Sequence, residues 1–219
     1  MTLRLMKSTE LDRVDRLMML AYAMPSRRAE LELYHSTQPD GWVVVERDGE
    51  LVAAAGCIAY GSFAWLGLVA TDPTVRRQGL GTRLSRYLVD WAQARGCQTV
   101  ALDASEAGRR IYGRLGFATV GSTIELARGP SLTTDDTTAV TALSAAEKDE
   151  LITFDRTIFG ADRGALLARL LDSCASGYVR RYEGRVTGYL FARERLLGPG
   201  GDRSCLRPRA RVRRVRTGR

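Results

Sequence analysis

Three β-rich segments follow one another between residues 42 and 71, and a glycine-rich turn and an amphipathic pattern come directly after them. Trp42 to Glu46 and Leu51 to Tyr60 are joined by Arg47-Asp48-Gly49-Glu50, which is typical of a hairpin turn. Phe63 to Thr71 continues as a third strand and is closed by Asp72-Pro73. These segments predict the centre of a sheet.

Helical spacing of apolar residues flanks this strand region on both sides. Further short β-type runs stand before and after the helices. The order of elements predicts one mixed α/β domain over residues 1–127. The first predicted helix begins after Ser8 or Thr9, and three more are predicted at Arg27 to His35, Gly79 to Gly96 and Ser105 to Gly116. The further predicted strands are Leu3 to Met6, Thr99 to Leu102, Phe117 to Val120 and Thr123 to Ala127.

A second, shorter pattern follows a polar stretch at 128–138 that we interpret as a linker. Ser144-Ala145-Ala146-Glu147 predicts a capping box, similar to one predicted at Thr9 to Asp12. Gly177 to Gly188 parallels the strand, turn and strand that begin at Gly41. Residues 139–198 therefore read as a partial copy of the first domain, although any pair of strands joined by a turn could give this likeness.

Composition excludes several classes of protein. Hydrophobic residues make up 45% and charged residues 26%, within the range of soluble globular chains, and no apolar run is long enough to span a bilayer. We therefore expect a cytoplasmic protein that does not bind membranes.

Histidine and cysteine do not indicate a metal site, and none is expected. The single histidine, His35, is expected to lie at the surface or at the end of a helix. The cysteines lack metal-ligand spacing and predict buried or incidental thiols at Cys57, Cys97, Cys174 and Cys205.

The formal net charge of +8 belongs to one end of the chain. Residues 203–219 contain eight arginines and no acidic residue, so the remainder carries no net charge. Clustered arginines can neutralise nucleic-acid phosphates, but this stretch has no interleaved aromatic residues. We expect residues 199–219 to be an arginine-rich tail that is disordered or the product of a frameshift, and we do not expect a nucleic-acid partner.

The segment from Val69 to Thr82 predicts a site for an anion. Gly79 and Gly81 stand between a strand and a helix, where backbone amides can approach a ligand closely and the helix N-terminus adds unsatisfied donors. A Walker loop requires a lysine after its glycines, and a Rossmann loop requires a third glycine. Neither is present, so the glycines alone leave an anion site and a plain turn open.

Three motifs in order resemble the GNAT family of N-acetyltransferases: Val69 to Pro73, Arg76 to Thr82, and Ile111 to Phe117. The resemblance covers about residues 1–127 and implies a GNAT fold, with a mixed, mostly antiparallel sheet flanked by helices. The segment from Phe159 to Arg193 looks like the smaller, incomplete second GNAT-like domain of a bacterial two-domain subgroup. Such proteins use acetyl-CoA as co-substrate.

The resemblance implies roles for named residues. The backbone of the strand at Val69, Ala70 and Thr71 would pair with the pantetheine arm of acetyl-CoA, which requires a bulge that frees the edge of the strand. The loop would bind the pyrophosphate through Arg77, Gln78, Gly79, Leu80, Gly81 and Thr82. Ser105 stands where many members of the family place an asparagine near the cofactor.

Tyr112 is the predicted general acid. In the family the tyrosine of this motif protonates the departing CoA thiolate, and a phenol with a pKa of about 10 is a suitable donor. A packing role in the core is the alternative for a tyrosine on a helix. Glu46, Asp103 and Glu125 are candidate bases, and a water chain would serve equally well, so no base is assigned.

The predicted reaction is transfer of the acetyl group of acetyl-CoA to a primary amine of a small molecule or a peptide. A catalytically weak module that binds or senses acyl-CoA is the alternative, since no base is evident. The sequence leaves the acceptor open. A monomer and a homodimer are equally compatible with it.

Overall fold

The computed structural model describes residues 1–122, 140–173, 176–193 and 196–202 of the chain. These residues fall into two compact units, of which the first comprises Met1–Val120 and the second begins at Gly121. The predicted linker at 128–138 lies outside the described residues.

The first unit contains a five-stranded sheet and four α-helices, preceded or joined by short 3-10 turns. The predicted strand from Phe63 to Thr71 is observed with those bounds, and the other predicted boundaries shift by one or two residues. The elements are β1 (Thr2–Leu5), α1 (Leu11–Tyr22), α2 (Arg28–Thr37), β2 (Trp42–Arg47), β3 (Glu50–Tyr60), β4 (Phe63–Thr71), α3 (Leu80–Ala94), β5 (Thr99–Ala101) and α4 (Glu106–Arg114).

The strands are ordered β1-β2-β3-β4-β5, with the first four antiparallel and β5 parallel to β4. The pairing of β3 with β4 skips between Ala54 and Gly56, so β4 has an extra residue at this point. The parallel pairing with β5 covers only Phe63 to Trp65 of β4. The sheet is therefore mixed and mostly antiparallel, as predicted.

Alternation along the strands directs side chains to two separate cores, one on each face of the sheet. On one face, α3 packs through Leu80, Leu84 and Leu88 against residues such as Val43 and Val45. On the other face, α1 packs through Val14 and Met18 against residues such as Val44 and Ala70. Consecutive residues of β2 thus belong to opposite cores, which fixes the register of the sheet.

The end of the first unit differs from its prediction. Phe117 to Val120 does not form a strand and pairs with no strand in the part of the chain that the structure describes, and Val120 is exposed. Apolar composition alone suggested a strand here, but a strand needs a partner to satisfy its backbone groups. The other predicted terminal strand, Thr123 to Ala127, lies outside the described residues.

Two local predictions require correction. No capping box is seen at Thr9 to Asp12; instead, the Glu10 carboxylate accepts a hydrogen bond from the Lys7 amide at 2.9 Å. His35 lies in the last turn of α2, as expected, but is buried, with Nε2 3.4 Å from the Met6 carbonyl oxygen. A short sequence pattern indicates where a helix begins or ends, but not whether the residues there are buried.

The expectation of buried thiols is confirmed for the two cysteines that the structure describes. Cys57 and Cys97 are free and buried, and burial raises the pKa of the Cys57 thiol to about 12. Cys174 and Cys205 lie outside the described residues.

The second unit contains a four-stranded antiparallel sheet in the order β6-β7-β8-β9 and two α-helices. The predicted capping box at Ser144 is present, since the Ser144 amide donates to the Glu147 carboxylate at 2.7 Å. The elements are β6 (Val140–Ala142), α5 (Lys148–Phe159), α6 (Gly164–Ser173), β7 (Ser176–Tyr182), β8 (Arg185–Arg193) and β9 (Leu196–Asp202).

Strand β9 runs through residues that the sequence assigned to a tail. Gly198, Pro199 and Gly200 are poor strand formers, yet β9 pairs with β8 in a register that includes Leu190 opposite Gly200. Proline is tolerated on a strand with only one neighbour, and β9 has only β8 beside it in the described sheet. The arginine-rich residues 203–219 lie outside the described part of the chain.

Candidate active site

Strand β4 separates from β5 in the middle of the first unit. Their pairing ends at Trp65 opposite Ala101, while β4 continues to Thr71. At the bulge, Leu68 adopts a left-handed backbone with φ of 52°, which costs free energy for a residue with a Cβ. The second half of β4 thus has no strand partner on the side away from β3 among the described residues, and its backbone groups can bind an extended ligand.

The turn after β4 exposes the first amides of α3. Arg77 and Gly79 both have a left-handed backbone, with φ of 65° and 77°. Only Gly79 adopts this conformation without steric cost. After this turn the first amides of α3 lack intrahelical acceptors and carry the positive end of the helix dipole. The predicted anion site is thus a turn that leads into a regular helix.

Gly81 lies where three elements of the site meet. A Cβ placed on Gly81 would lie 3.8 Å from Cδ1 of Ile111 in α4 and 3.9 Å from Cγ1 of Val69 in β4. The start of α3, the separated part of β4 and the helix that carries Tyr112 are therefore adjacent.

Tyr112 lies partly buried against the core on the α3 face. Its ring packs edge-on against Phe117, with centroids 5.9 Å apart. The ring also folds back over Gly108, because a Cβ on Gly108 would lie 2.9 Å from Cε2 of Tyr112. A glycine one turn earlier in α4 thus provides the space for this ring.

The surroundings of the Tyr112 hydroxyl favour the neutral phenol. Burial raises the pKa of Tyr112, and the nearby Ser85 hydroxyl lowers it in part. Ser85 is fully buried on α3, and its Oγ forms no hydrogen bond of ordinary geometry within the described residues. Tyr112 is therefore protonated at neutral pH and able to donate a proton.

The family model of the GNAT acetyltransferases matches residues 11–117, nearly the whole of the first unit. Residues 11–117 therefore belong to the GNAT family of acetyltransferases. The protein is accordingly an acyltransferase, and the family's reaction is transfer from an acyl-CoA donor. No protein with curated annotation matches the chain.

Solved acetyltransferase structures share the fold. A protein from Pyrococcus horikoshii classed as an acetyltransferase is 20% identical, with a TM-score of 0.73 over 92% of this chain and 71% of that one. One from Agrobacterium tumefaciens is 19% identical, with a TM-score of 0.50 over 58% of this chain and all of that one. The Escherichia coli ribosomal-protein-S18-alanine N-acetyltransferase is 27% identical, with a TM-score of 0.47 over 52% of this chain and 76% of that one.

The structure brings most of the predicted site residues of the GNAT domain together. Val69 faces the α3 side of the sheet, and Ala70 is buried on the opposite side. Thr71 ends β4. The remaining predicted residues occupy the turn and the first turn of α3: Arg77, Gln78, Gly79, Leu80, Gly81 and Thr82.

Ser105 has a structural role that the resemblance did not suggest. It is the N-cap of α4, and its Oγ accepts a hydrogen bond from the Gly108 amide at 3.2 Å. Substitution of an N-cap serine by alanine costs about 1 kcal/mol. Ser105 thus supports the helix that carries Tyr112, whether or not it contacts a cofactor.

Two residues near the site have contacts that the sequence did not indicate. The Tyr22 hydroxyl, at the end of α1, donates to the Val69 carbonyl at 2.7 Å. Arg76, which precedes the glycines of the turn, donates to the Ala21 carbonyl at 2.7 Å. Both contacts span about fifty positions of sequence, and no local pattern indicates them; an exposed aromatic residue at a helix end was the only available signal.

One of the three candidate bases is engaged by another side chain. Glu46 accepts hydrogen bonds from Arg4, with 3.0 Å between Nε and Oε2. Asp103 is exposed, and Glu125 lies outside the described residues.

Across the described ranges, no group of three or more histidine, cysteine, aspartate or glutamate side chains is arranged to hold a metal ion. No described helix combines the length and apolarity needed to cross a bilayer.

Proposed function

We propose that the protein transfers the acetyl group of acetyl-CoA to a primary amine and that Tyr112 is its general acid. The neutral amine attacks the thioester carbonyl, a C–N bond forms, and the C–S bond breaks with its electron pair on sulfur. Tyr112 then gives its proton to the thiolate and regains one from solvent. The proton lost by the amine passes to water.

The observation that carries this proposal is the meeting of β4, α3 and α4 at Gly81. A long donor with a pyrophosphate at one end and a thioester at the other requires an anion site and a strand edge in line. The first amides of α3 supply the anion site, and the separated half of β4 supplies the edge. Ile111, the neighbour of Tyr112 in α4, lies near the point where these two features meet.

Positive charge supports the same assignment. Arg77 and Arg83 are exposed beside the start of α3 and form no ion pair with any described residue. A pyrophosphate bound at the amides would therefore meet two arginines that need not first leave another partner. Val69 and Thr71 would bond the pantetheine amides through their backbone, and Gln78, Leu80 and Thr82 would surround the pyrophosphate through theirs.

Tyr112 keeps its proton throughout the physiological pH range, because an unperturbed phenol is already neutral there and burial raises its pKa further. The raised pKa also makes the phenol a weaker acid, so its proton leaves only when the thiolate forms as the C–S bond breaks. The rising limb of activity with pH would then reflect loss of a proton from the acceptor amine. We assign that proton to water, since Glu46 is engaged by Arg4.

The test is incubation of the full chain with acetyl-CoA and a panel of amines that includes peptides, polyamines and aromatic amines. The proposal predicts stoichiometric CoA thiol and acetylated amine, identified by mass, for at least one class of amine. Saturable acetyl-CoA binding without acetylated product for any amine would instead identify a binding or sensing module. Absence of acetyl-CoA binding would remove both interpretations.

A further inference from the structure

The end of α1 is attached to the site at two successive residues. The Tyr22 hydroxyl donates to the carbonyl of Val69, and the carbonyl of Ala21 accepts from Arg76. Ala23, the next residue, has a left-handed backbone with φ of 51°, so the helix ends here. The last turn of α1 is thus joined both to the separated half of β4 and to the turn before α3.

Tyr22 holds a carbonyl in the part of β4 that has no β5 partner. Beyond Trp65, β4 has strand pairing only with β3 among the described residues, and the bulge at Leu68 directly precedes Val69. A carbonyl oxygen at such a position can accept hydrogen bonds from water, a side chain or a ligand amide. In the structure the acceptor is occupied by the Tyr22 phenol at 2.7 Å.

The two phenols of the site influence each other. Burial raises the pKa of Tyr22 to about 12, and the neighbouring Tyr112 adds to this rise. Both hydroxyls are therefore neutral donors at pH 7. The Tyr22 ring is nevertheless 38% exposed, so it can turn toward solvent without moving core residues.

We propose that Tyr22 is a positioning residue that occupies the Val69 carbonyl in the free protein and releases it to an amide of the acyl-CoA donor. This inference rests on the proposed function, because it requires a pantetheine amide along β4. Binding of the donor then breaks the hydrogen bond between Tyr22 and β4, while the contact of Arg76 with the Ala21 carbonyl and the core packing of α1 remain.

The first test measures binding of CoA to the full chain by calorimetry, with wild type, Tyr22→Phe and Tyr87→Phe. Tyr87 is a comparably exposed tyrosine on α3 and serves as the matched control. Since the donor need not displace a hydroxyl in Tyr22→Phe, its Kd for CoA should fall about three- to tenfold, the range for one hydrogen bond, while that of Tyr87→Phe should equal wild type. An unchanged or higher Kd for Tyr22→Phe would overturn the inference.

The second test observes the Tyr22 hydroxyl in the wild-type protein by nuclear magnetic resonance. The tyrosines of wild type are labelled with carbon-13 at Cζ, and the resonance absent from Tyr22→Phe is assigned to Tyr22. Saturation with CoA should shift this resonance to the position of a water-exposed phenol. If CoA binds and the Tyr22 resonance does not move, Tyr22 has no such role; if wild type does not bind CoA, the proposed function fails first and this inference fails with it.

Discussion

The two units repeat the same order of elements but differ beyond the fourth strand of each repeat. In both, a 3-10 turn leads into two helices and then into antiparallel strands. The hairpin turns correspond, since Asp48-Gly49 and Glu183-Gly184 all have positive φ values between 49° and 82°. The register shifts also correspond, between Val45 and Glu46 in the first unit and between Arg180 and Arg181 in the second.

The repeat extends to the irregularity that opens the site. The pairing of β3 with β4 skips between Ala54 and Gly56, and the pairing of β8 with β9 skips between Leu190 and Ala192. After this point only the first unit, among the described residues, continues into a glycine turn, α3 and a helix carrying a tyrosine. A bulged strand is therefore part of the scaffold, and the site arises from the elements added to it.

The joint between the two successive helices of each repeat, α1 and α2 or α5 and α6, is held by different hydrogen bonds in the two units. In the first, buried Asp15 accepts from the Ser26 hydroxyl at 2.6 Å and from the Arg27 amide at 2.8 Å. In the second, fully buried Asp155 accepts from Arg163 at 2.8 and 2.9 Å and from the Tyr189 hydroxyl. One joint uses neutral donors, and the other buries an ion pair.

The largest effect is expected when the ion pair of the second unit is broken. Asp155→Asn leaves the Arg163 guanidinium buried without its counter-charge, which costs about 3–5 kcal/mol. Asp15→Asn removes no such charge pair and should cost only about 1–2 kcal/mol. Urea unfolding followed by circular dichroism measures both variants.

Tryptophan fluorescence separates the two units in the same experiment, because all three tryptophans, Trp42, Trp65 and Trp91, belong to the first. Asp155→Asn should shift the dichroism transition and leave the fluorescence midpoint in place, and Asp15→Asn should shift the fluorescence midpoint. Equal costs for the two variants would show that the joints are energetically alike.

A smaller effect is expected from closing the space beneath Tyr112. A Cβ on Gly108 lies 2.9 Å from the Tyr112 ring, so Gly108→Ala must displace the ring. Displacement of about 1 Å lowers kcat by about ten- to hundredfold when a group must be aligned. The measurement is the initial rate at saturating acetyl-CoA and amine.

Gly113 in the same helix provides the control. It is exposed, and a Cβ there meets nothing within 4 Å, so Gly113→Ala should raise stability by about 0.5–1 kcal/mol and leave kcat unchanged. Equal kcat values for the two alanine variants would mean that the position of the Tyr112 ring does not matter.

The smallest expected difference between the two units is in how much stability each loses at acid pH. Hydrogen bonds from Arg4 lower the pKa of Glu10 to about 2. A carboxyl with a depressed pKa in the folded state stabilises the fold above its unfolded value and loses that contribution as pH falls from about 4.5 toward 2. The first unit should therefore lose stability across this range, as measured by tryptophan fluorescence.

The corresponding carboxyls of the second unit are more exposed. Arg181 lowers the pKa of Glu147 and of Glu150, but both pairs are screened by water and salt. Their contribution should be smaller and should decline in 0.5 M salt, about three times the physiological ionic strength. Replacement of Glu10 by glutamine should flatten the acid response of the first unit; an unchanged response would exclude Glu10 as its source.

Local pattern was sufficient for much of the first unit. Phe63 to Thr71 is flanked by turn formers and is apolar except for Gly67 and Thr71, and its bounds are observed as predicted. The helix starting near Gly79 was also predictable, because Leu80, Leu84 and Leu88 recur at helical spacing. The resemblance assigned the glycine turn and Tyr112 to the same cofactor, and the fold places α4, which carries Tyr112, next to Gly81.

Features that depend on partners distant in sequence were not predictable. β9 includes Pro199, which argues against a strand until β8 is known to lie beside it. The Asp155–Arg163–Tyr189 cluster and the contact of Tyr22 with Val69 join residues from different elements. A single sequence carries no signal for such pairs, because hydrogen-bonding side chains at these positions are also common on surfaces.

The role of Tyr112 as proton donor in acetyl transfer is tested by the kcat of Tyr112→Phe. The measurement is thiol release from saturating acetyl-CoA with an accepted amine at pH 7.5, with Tyr178→Phe in the second unit as control. We expect kcat of Tyr112→Phe to fall by about a hundredfold or more, as for loss of a general acid, while Tyr178→Phe retains wild-type kcat. Equal kcat values for wild type and Tyr112→Phe would exclude Tyr112 as the proton donor.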